Sequence, residues 1–162
     1  MSVRSPCILV VEDDRLTRQV IVQFLKRGGY TNILEASLAE QAIGILLKDR
    51  QTQVNLAIVD LMLPSASGLS IIRKLRNAKA AWRKNMPVAV MTGRTDTDTY
   101  KMAARRGIQA YLLKPVSAAL LVETVGKLLA AHGIAPPKPM APLENTAPIP
   151  APDLPPSLDA DF

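Results

Sequence analysis

Five widely spaced side chains of types that can do chemistry each follow directly on an apolar run. Glu12 and Asp13 follow Cys7–Val11, Asp60 follows Leu56–Val59, Thr92 follows Pro87–Met91 and Lys114 follows Ala110–Leu113. If those runs are strands of one sheet, their carboxylates gather in one place, where mutual repulsion raises a pKa unless a cation is present. An all-oxygen site of few carboxylates suits Mg²⁺, which asks for octahedral geometry and keeps several waters. Magnesium points to phosphate. A carboxylate beside Mg²⁺, faced by a Thr hydroxyl and a Lys ammonium, has what phosphoryl transfer needs: an oxygen nucleophile and cations for the equatorial oxygens. Asp60 is the nucleophile of choice, since it stands alone at its strand end, whereas Glu12 and Asp13 form a pair suited to holding metal. Each residue also has a plainer use. Asp60 could cap a turn, Lys114 could be a surface charge, Thr92 a strand residue, and Asp14 a cap for the first helix. It is their joint order along the chain that favours the chemical reading.

The elements that must position them alternate five times. Cys7–Val11 reads as a strand, followed by a helix over about Arg15–Arg27 with Leu16, Val20 and Phe24 inward and Gly28-Gly29 as its stop. Ile33–Ala36 is a second strand; Ser37 with Glu40 forms a capping box for a helix burying Ala42, Ile43, Leu46 and Leu47. After the third strand, Pro64 and Gly68 bracket a loop, and a third helix carries Leu69, Ile72 and Leu75. A fourth helix, about Thr95–Arg106, precedes the fifth strand, and Ser117 caps a last helix with Leu121, Val125 and Leu128 inward. Strands that are continuous apolar runs, separated by helices, predict a parallel sheet covered on both faces. In such α/β sheets the reactive groove lies beyond the carboxyl ends of the strands, where strand order reverses.

On these residues the chain resembles the receiver domains of two-component response regulators, over about residues 6–132. The resemblance rests on Glu12-Asp13, on Asp60 with Pro64 four residues later, on Thr92, on Lys114-Pro115, and on Tyr111 three residues before the lysine. It implies a doubly wound, CheY-like (flavodoxin-like) five-stranded parallel sheet of order 2-1-3-4-5 with five helices. It implies that Asp60 is the phosphoacceptor, that Thr92 and Lys114 assist it, and that Thr92 and Tyr111 form the switch. It further implies that Asp13, Asp60 and the backbone carbonyl of Met62 bind Mg²⁺ directly and Glu12 through water. The donor would be a phosphohistidine on a sensor histidine kinase or a histidine phosphotransfer protein. The output would be a protein contact on the surface of the fourth helix, fifth strand and fifth helix, where Lys101, Arg105 and Arg106 lie. The chain is then a phosphorylation switch and not an enzyme in the ordinary sense. Three departures stand out: Ser67-Gly68 where many members have Asp-Gly, Val116 where Phe is frequent, and Met62 and Arg94 at places that tune the lifetime of the phosphoryl group.

Composition bounds the rest. One Cys and one His exclude a zinc site and an internal disulfide, and no apolar stretch approaches the 18 or more residues of a membrane span. Nothing in Met1–Pro6 and the run behind it reads as a signal peptide, so the chain is expected in the cytoplasm. Nine of the thirteen prolines fall in residues 133–162, so a receiver domain at 1–132 is expected to carry a disordered, unpacked tail at 133–162. Leu154, Leu158 and Phe162 could give that tail a short apolar docking face. The charge divides at the same place. Residues 1–132 hold +9 and residues 133–162 hold −3, which together make the chain's +6. A second basic cluster runs through Arg73, Lys74, Arg76, Lys79, Arg83 and Lys84 and is either a solvated face or a surface for an acidic partner. The sequence contains no DNA-reading module, and a second copy of the chain is a further candidate partner. Two other functions compete with the switch. One is nucleic-acid binding through the basic charge, for which no recognition motif is present. The other is a phosphohydrolase with an Asp nucleophile, which would want a second Asp two residues later, where Met62 stands.

Overall fold

The computed structural model describes residues 5–140. Five parallel strands, β1 (Cys7–Val11), β2 (Asn32–Ala36), β3 (Leu56–Val59), β4 (Val88–Thr92) and β5 (Ala110–Leu113), form one sheet in the order β2-β1-β3-β4-β5. The continuous apolar runs follow from burial on both faces. Ile8 and Val10 of β1, with Leu56 and Ile58 of β3, pack into a cluster with Ile21, Leu25, Leu121, Val125 and Leu129. Their alternating neighbours Leu9, Val11, Ala57 and Val59 join Leu46, Ile71, Ile72 and Leu75 on the other face. One side is covered by α1 (Arg15–Arg27) and α6 (Ala118–Ala131). The other side is covered by α2 (Ala39–Ile43, continued by a wider π-helical stretch over Gly44–Lys48) and α3 (Gly68–Arg76).

Six helices stand where five were expected. The extra one is α4 (Ala81–Lys84), a single turn in the exit from α3; α5 (Thr97–Arg105) follows β4. Four residues carry no helical periodicity, which is why the sequence reading missed α4. The capping box at Ser37 and Glu40 does not form. The residue preceding α2 is Leu38, so the third helical position is Gln41, and its side-chain oxygen accepts from the Ser37 backbone N–H (2.9 Å) and hydroxyl (3.2 Å). Glu40 accepts instead from the Ser65 hydroxyl across the loop after β3. Leu16, expected inward, is 71% exposed, because the buried stripe of α1 runs through Thr17, Ile21, Phe24 and Leu25 and position 16 lies beside it. Leu128 is only partly buried, and Leu129 takes the innermost place.

The first residues of the expected tail are packed. After α6, Gly133 takes φ +73° and the Ile134 N–H donates to Leu129 O at 2.9 Å, which seats Ile134 against the core. The chain then runs back toward the end of α1, where the Met140 N–H donates to Arg27 O at 2.9 Å. Gly29, at φ +90°, lies so close under this strap that a Cβ there would sit 2.3 Å from Lys138 O. The boundary expected after residue 132 therefore falls at the start of a docked stretch, at least to Met140. Residues 141–162, with Leu154, Leu158 and Phe162, lie outside the described residues. Among the described residues no helix is long and apolar enough to cross a membrane.

Candidate functional site

Parallel pairing with matched register brings the strand ends level. Val11 pairs with Val59, Val59 with Val90, and Thr92 with Leu113, so the residues just past them meet on one edge. Backbone bonds across those ends fix the loops: Asp60 N–H donates to Val11 O (3.0 Å), Glu12 N–H to Ala36 O (3.0 Å) and Lys114 N–H to Thr92 O (2.9 Å). The result places Glu12, Asp60, Thr92 and Lys114 in the buried interior of the edge, with Asp13 exposed at its mouth. Asp14 is the cap of α1 and accepts the Thr17 N–H at 2.7 Å.

The Lys114 ammonium lies between two acids, 2.9 Å from Asp60 Oδ2 and 2.5 Å from Glu12 Oε2. The second oxygens are also engaged: Asp60 Oδ1 accepts the Met62 N–H at 2.9 Å, and Glu12 Oε1 accepts the Asp14 N–H at 3.1 Å. Burial pushes the Glu12 carboxyl up to about 7, with the Asp60 charge adding to the rise and Lys114 opposing it. Repulsion between the acids, the expected cause, is therefore the lesser one. Burial acts on Lys114 in the opposite sense, toward the neutral amine, but the two carboxylates together outweigh it and hold the pKa above the ordinary lysine value. Glu12, Asp13 and Asp60 each offer a carboxylate oxygen within 4.8 Å of the others. Three hard oxygen donors, one open to solvent, fit a partly hydrated Mg²⁺ better than a softer metal.

Thr92 and Tyr111 are joined through one residue. The Thr92 hydroxyl accepts the Arg94 N–H at 3.3 Å, and the Tyr111 hydroxyl donates to Arg94 O at 3.0 Å. The Tyr111 ring meets Tyr100 edge-on with centroids 5.3 Å apart. The Arg94 side chain reaches over the site, its Nε donating to Met62 Sδ at 3.0 Å. It thereby helps line an open groove of about 610 Å³ whose wall also includes Asp13, Leu69 and Met102.

Two contributors have no motif signal. Arg18 holds the metal-side loop from below, donating to Glu12 O at 2.8 Å while its Nε pairs with Glu35 of β2 at 2.9 Å. Its place one turn into α1, on the side of the acidic loop, was the available clue. Gly68 was read only as a loop marker, yet a Cβ there would lie 2.2 Å from Asp60 O, so only glycine lets α3 start against the acceptor loop. Ser67 caps that helix, accepting the Leu69 N–H at 3.2 Å, so the turn survives the change from the commoner Asp-Gly.

Comparison with known proteins agrees with this geometry. The family model described as response regulator receiver domain matches residues 8–126. The chemotaxis protein CheY of Pseudomonas aeruginosa is 28% identical over 121 residues, which cover 75% of this chain and 94% of that protein. A cyclic di-GMP phosphodiesterase of Thermotoga maritima is 34% identical over 114 residues, 70% of this chain, which spans only 28% of that protein's length. Among solved structures, a CheY-like receiver domain protein from Methanospirillum hungatei superposes with a TM-score of 0.70 at 25% identity, covering 79% of this chain and 96% of that one.

Proposed function

The chain belongs to the response regulator receiver domain family, and from that premise we propose that Asp60 accepts a phosphoryl group from a phosphohistidine on a sensor histidine kinase or phosphotransfer protein. In the transfer a carboxylate oxygen of Asp60 forms the new P–O bond as the P–N bond to the donor imidazole breaks, and hydrolysis later returns the carboxylate and inorganic phosphate. The observation that carries the reading is the buried Asp60 carboxylate with the Lys114 ammonium at 2.9 Å and the oxygens of Glu12 and Asp13 beside it. Asp13, Asp60 and the Met62 carbonyl would hold Mg²⁺, with Glu12 acting through water. When bound, the ion supplies positive charge that offsets the phosphoryl oxygens. Met62 puts a thioether where an Asp-nucleophile phosphohydrolase needs a second acid, which favours the switch over the enzyme.

The chain's own residues account for the response. The phosphoryl group adds about 1.5 to 2 negative charges. Lys114 can turn from Glu12 toward it, and the Thr92 hydroxyl can leave the Arg94 N–H to donate to it. The loop at Arg94 then loses one of its two anchors, which frees Tyr111 to move from Arg94 O. A swing from 1:99 to 99:1 needs about 5.5 kcal/mol of differential interaction. Two or three hydrogen bonds to a charged group, at about 1.5 to 3 kcal/mol each, are of that size. The expected output is a protein contact on the face of α5, β5 and α6, where Leu113, Leu120 and Tyr100 are exposed.

Incubation with a small acyl phosphate, followed by intact mass, tests the reading. The mass should rise by one phosphoryl group with Mg²⁺ present and stay unchanged with EDTA. Equal labelling in both would remove the metal from the account.

A further inference from the structure

On the face away from the acceptor edge, a groove of about 650 Å³ opens between the π-helical stretch and the α3–α4 exit. Arg73, Lys74, Lys79 and Arg83 line it, together with the aliphatic Leu47 and Ala78. Arg73 and Lys74 lie in the last turn of α3, where the helix dipole favours cations, but that does not explain Lys79 or Arg83. Arg83 is held in place: its Nη2 donates to Asp49 O at 2.8 Å and its guanidinium lies over the Trp82 ring at 4.7 Å. Its Nε is the one buried side-chain nitrogen or oxygen among the described residues with no hydrogen-bond partner. Buried donors are nearly always satisfied, so a fixed guanidinium with an unused N–H in a cationic groove points to a missing acceptor. The nearest acid, Asp49, spends its carboxylate on the backbone N–H groups of Gln51 and Thr52. Among the described residues none of the four cations takes part in an ion pair.

We propose that the acidic segment 153–162 of the same chain occupies this groove. Residues 141–162 carry Glu144, Asp153, Asp159 and Asp161 and no Lys or Arg, and the last ten interleave three of those acids with Leu154, Leu158 and Phe162. That mixture matches a lining that is both cationic and aliphatic. A nucleic-acid backbone would use the cations alone. The strap delivers the chain to Arg27 O at Met140, and the thirteen residues from there to Asp153 span up to about 40 Å extended. A domain of this size has a radius of gyration of about 14 Å, so every face is within reach. Tethering raises the local concentration of the segment to about millimolar, so a contact too weak to form between molecules persists within one.

Carbodiimide coupling of the full chain at high dilution, followed by peptide mapping, tests the contact. Monomer-mass products joining Asp153, Asp159 or Asp161 to Lys74 or Lys79 should dominate over those to Lys26 and Lys127. They should fall about tenfold in the Arg73→Gln/Arg83→Gln variant and in high salt. Even spread over all exposed lysines, or products of dimer mass alone, would overturn the proposal. As a second arm that leaves the folded part untouched, the Asp153→Asn/Asp159→Asn/Asp161→Asn variant should shift the Arg83 Nε–H and Asn77 amide NMR signals. Unmoved signals there would also overturn it.

Discussion

Lys114 bears more of the site than its place in a Lys-Pro pair suggests, because it is the cation that lets Glu12 and Asp60 be buried together. Removing one member of a buried charged group leaves its partners uncompensated, at about 3 kcal/mol or more. Lys114→Ala is therefore expected to lower unfolding free energy by that amount without Mg²⁺, and added Mg²⁺ should restore more stability to it than to the wild type. Urea titrations with and without the ion measure both. Asp60 and Lys114 were legible as residues because each follows a strand directly. Arg18 and Gly68 were not, since what they do depends on an approach between segments: Arg18 on the Glu12 carbonyl, Gly68 on the Asp60 carbonyl. Gly68→Ala should slow phosphoryl labelling of Asp60 while leaving the helical circular dichroism in place, because its Cβ displaces the acceptor loop and not the core.

At the scale of elements, three helices begin on side-chain caps that accept a backbone N–H: Asp14 for α1, Asp96 for α5 and Ser117 for α6. Ser117→Ala should cost about 1 kcal/mol, read as a lower denaturant midpoint at unchanged slope. The carboxyls of Asp14 and Asp96 are held below the ordinary aspartate value, first by the Thr17 and Thr99 hydroxyls and then by the backbone N–H groups of those residues. Acids depressed in the folded state lend stability that is complete above their unfolded value and is lost as pH falls through the folded one. Melting temperature should thus drop below about pH 4, and less steeply in Asp14→Asn/Asp96→Asn, which keeps the caps without the charge. Strands and long helices could be read from the chain because period and burial coincide there. The start of α2 shifted because Leu38, without a capping side chain, precedes it. Ser37 and Glu40 satisfied the spacing of a capping box, but Gln41 was the residue in position to close it.

For the molecule as a whole, the five-strand alternation sufficed to anticipate the sheet, and the order β2-β1-β3-β4-β5 came with the resemblance. The strap from Ile134 to Met140 was not foreseeable, because proline-rich sequence with little apolar content gives no periodic sign of docking. Ile134 packs on the α1–α6 cluster all the same. A chain ending at residue 132 should accordingly lose about 1 to 2 kcal/mol relative to one ending at 140, seen as a melting temperature lower by roughly 3 to 6 °C. The molecule-wide claim is that loops from four strands converge on a single acceptor. Peptide mapping after incubation with an acyl phosphate and Mg²⁺ tests it most directly. The account predicts one phosphoryl group, on Asp60, and none anywhere in Asp60→Asn. A label on another residue, or undiminished labelling of that variant, would contradict it.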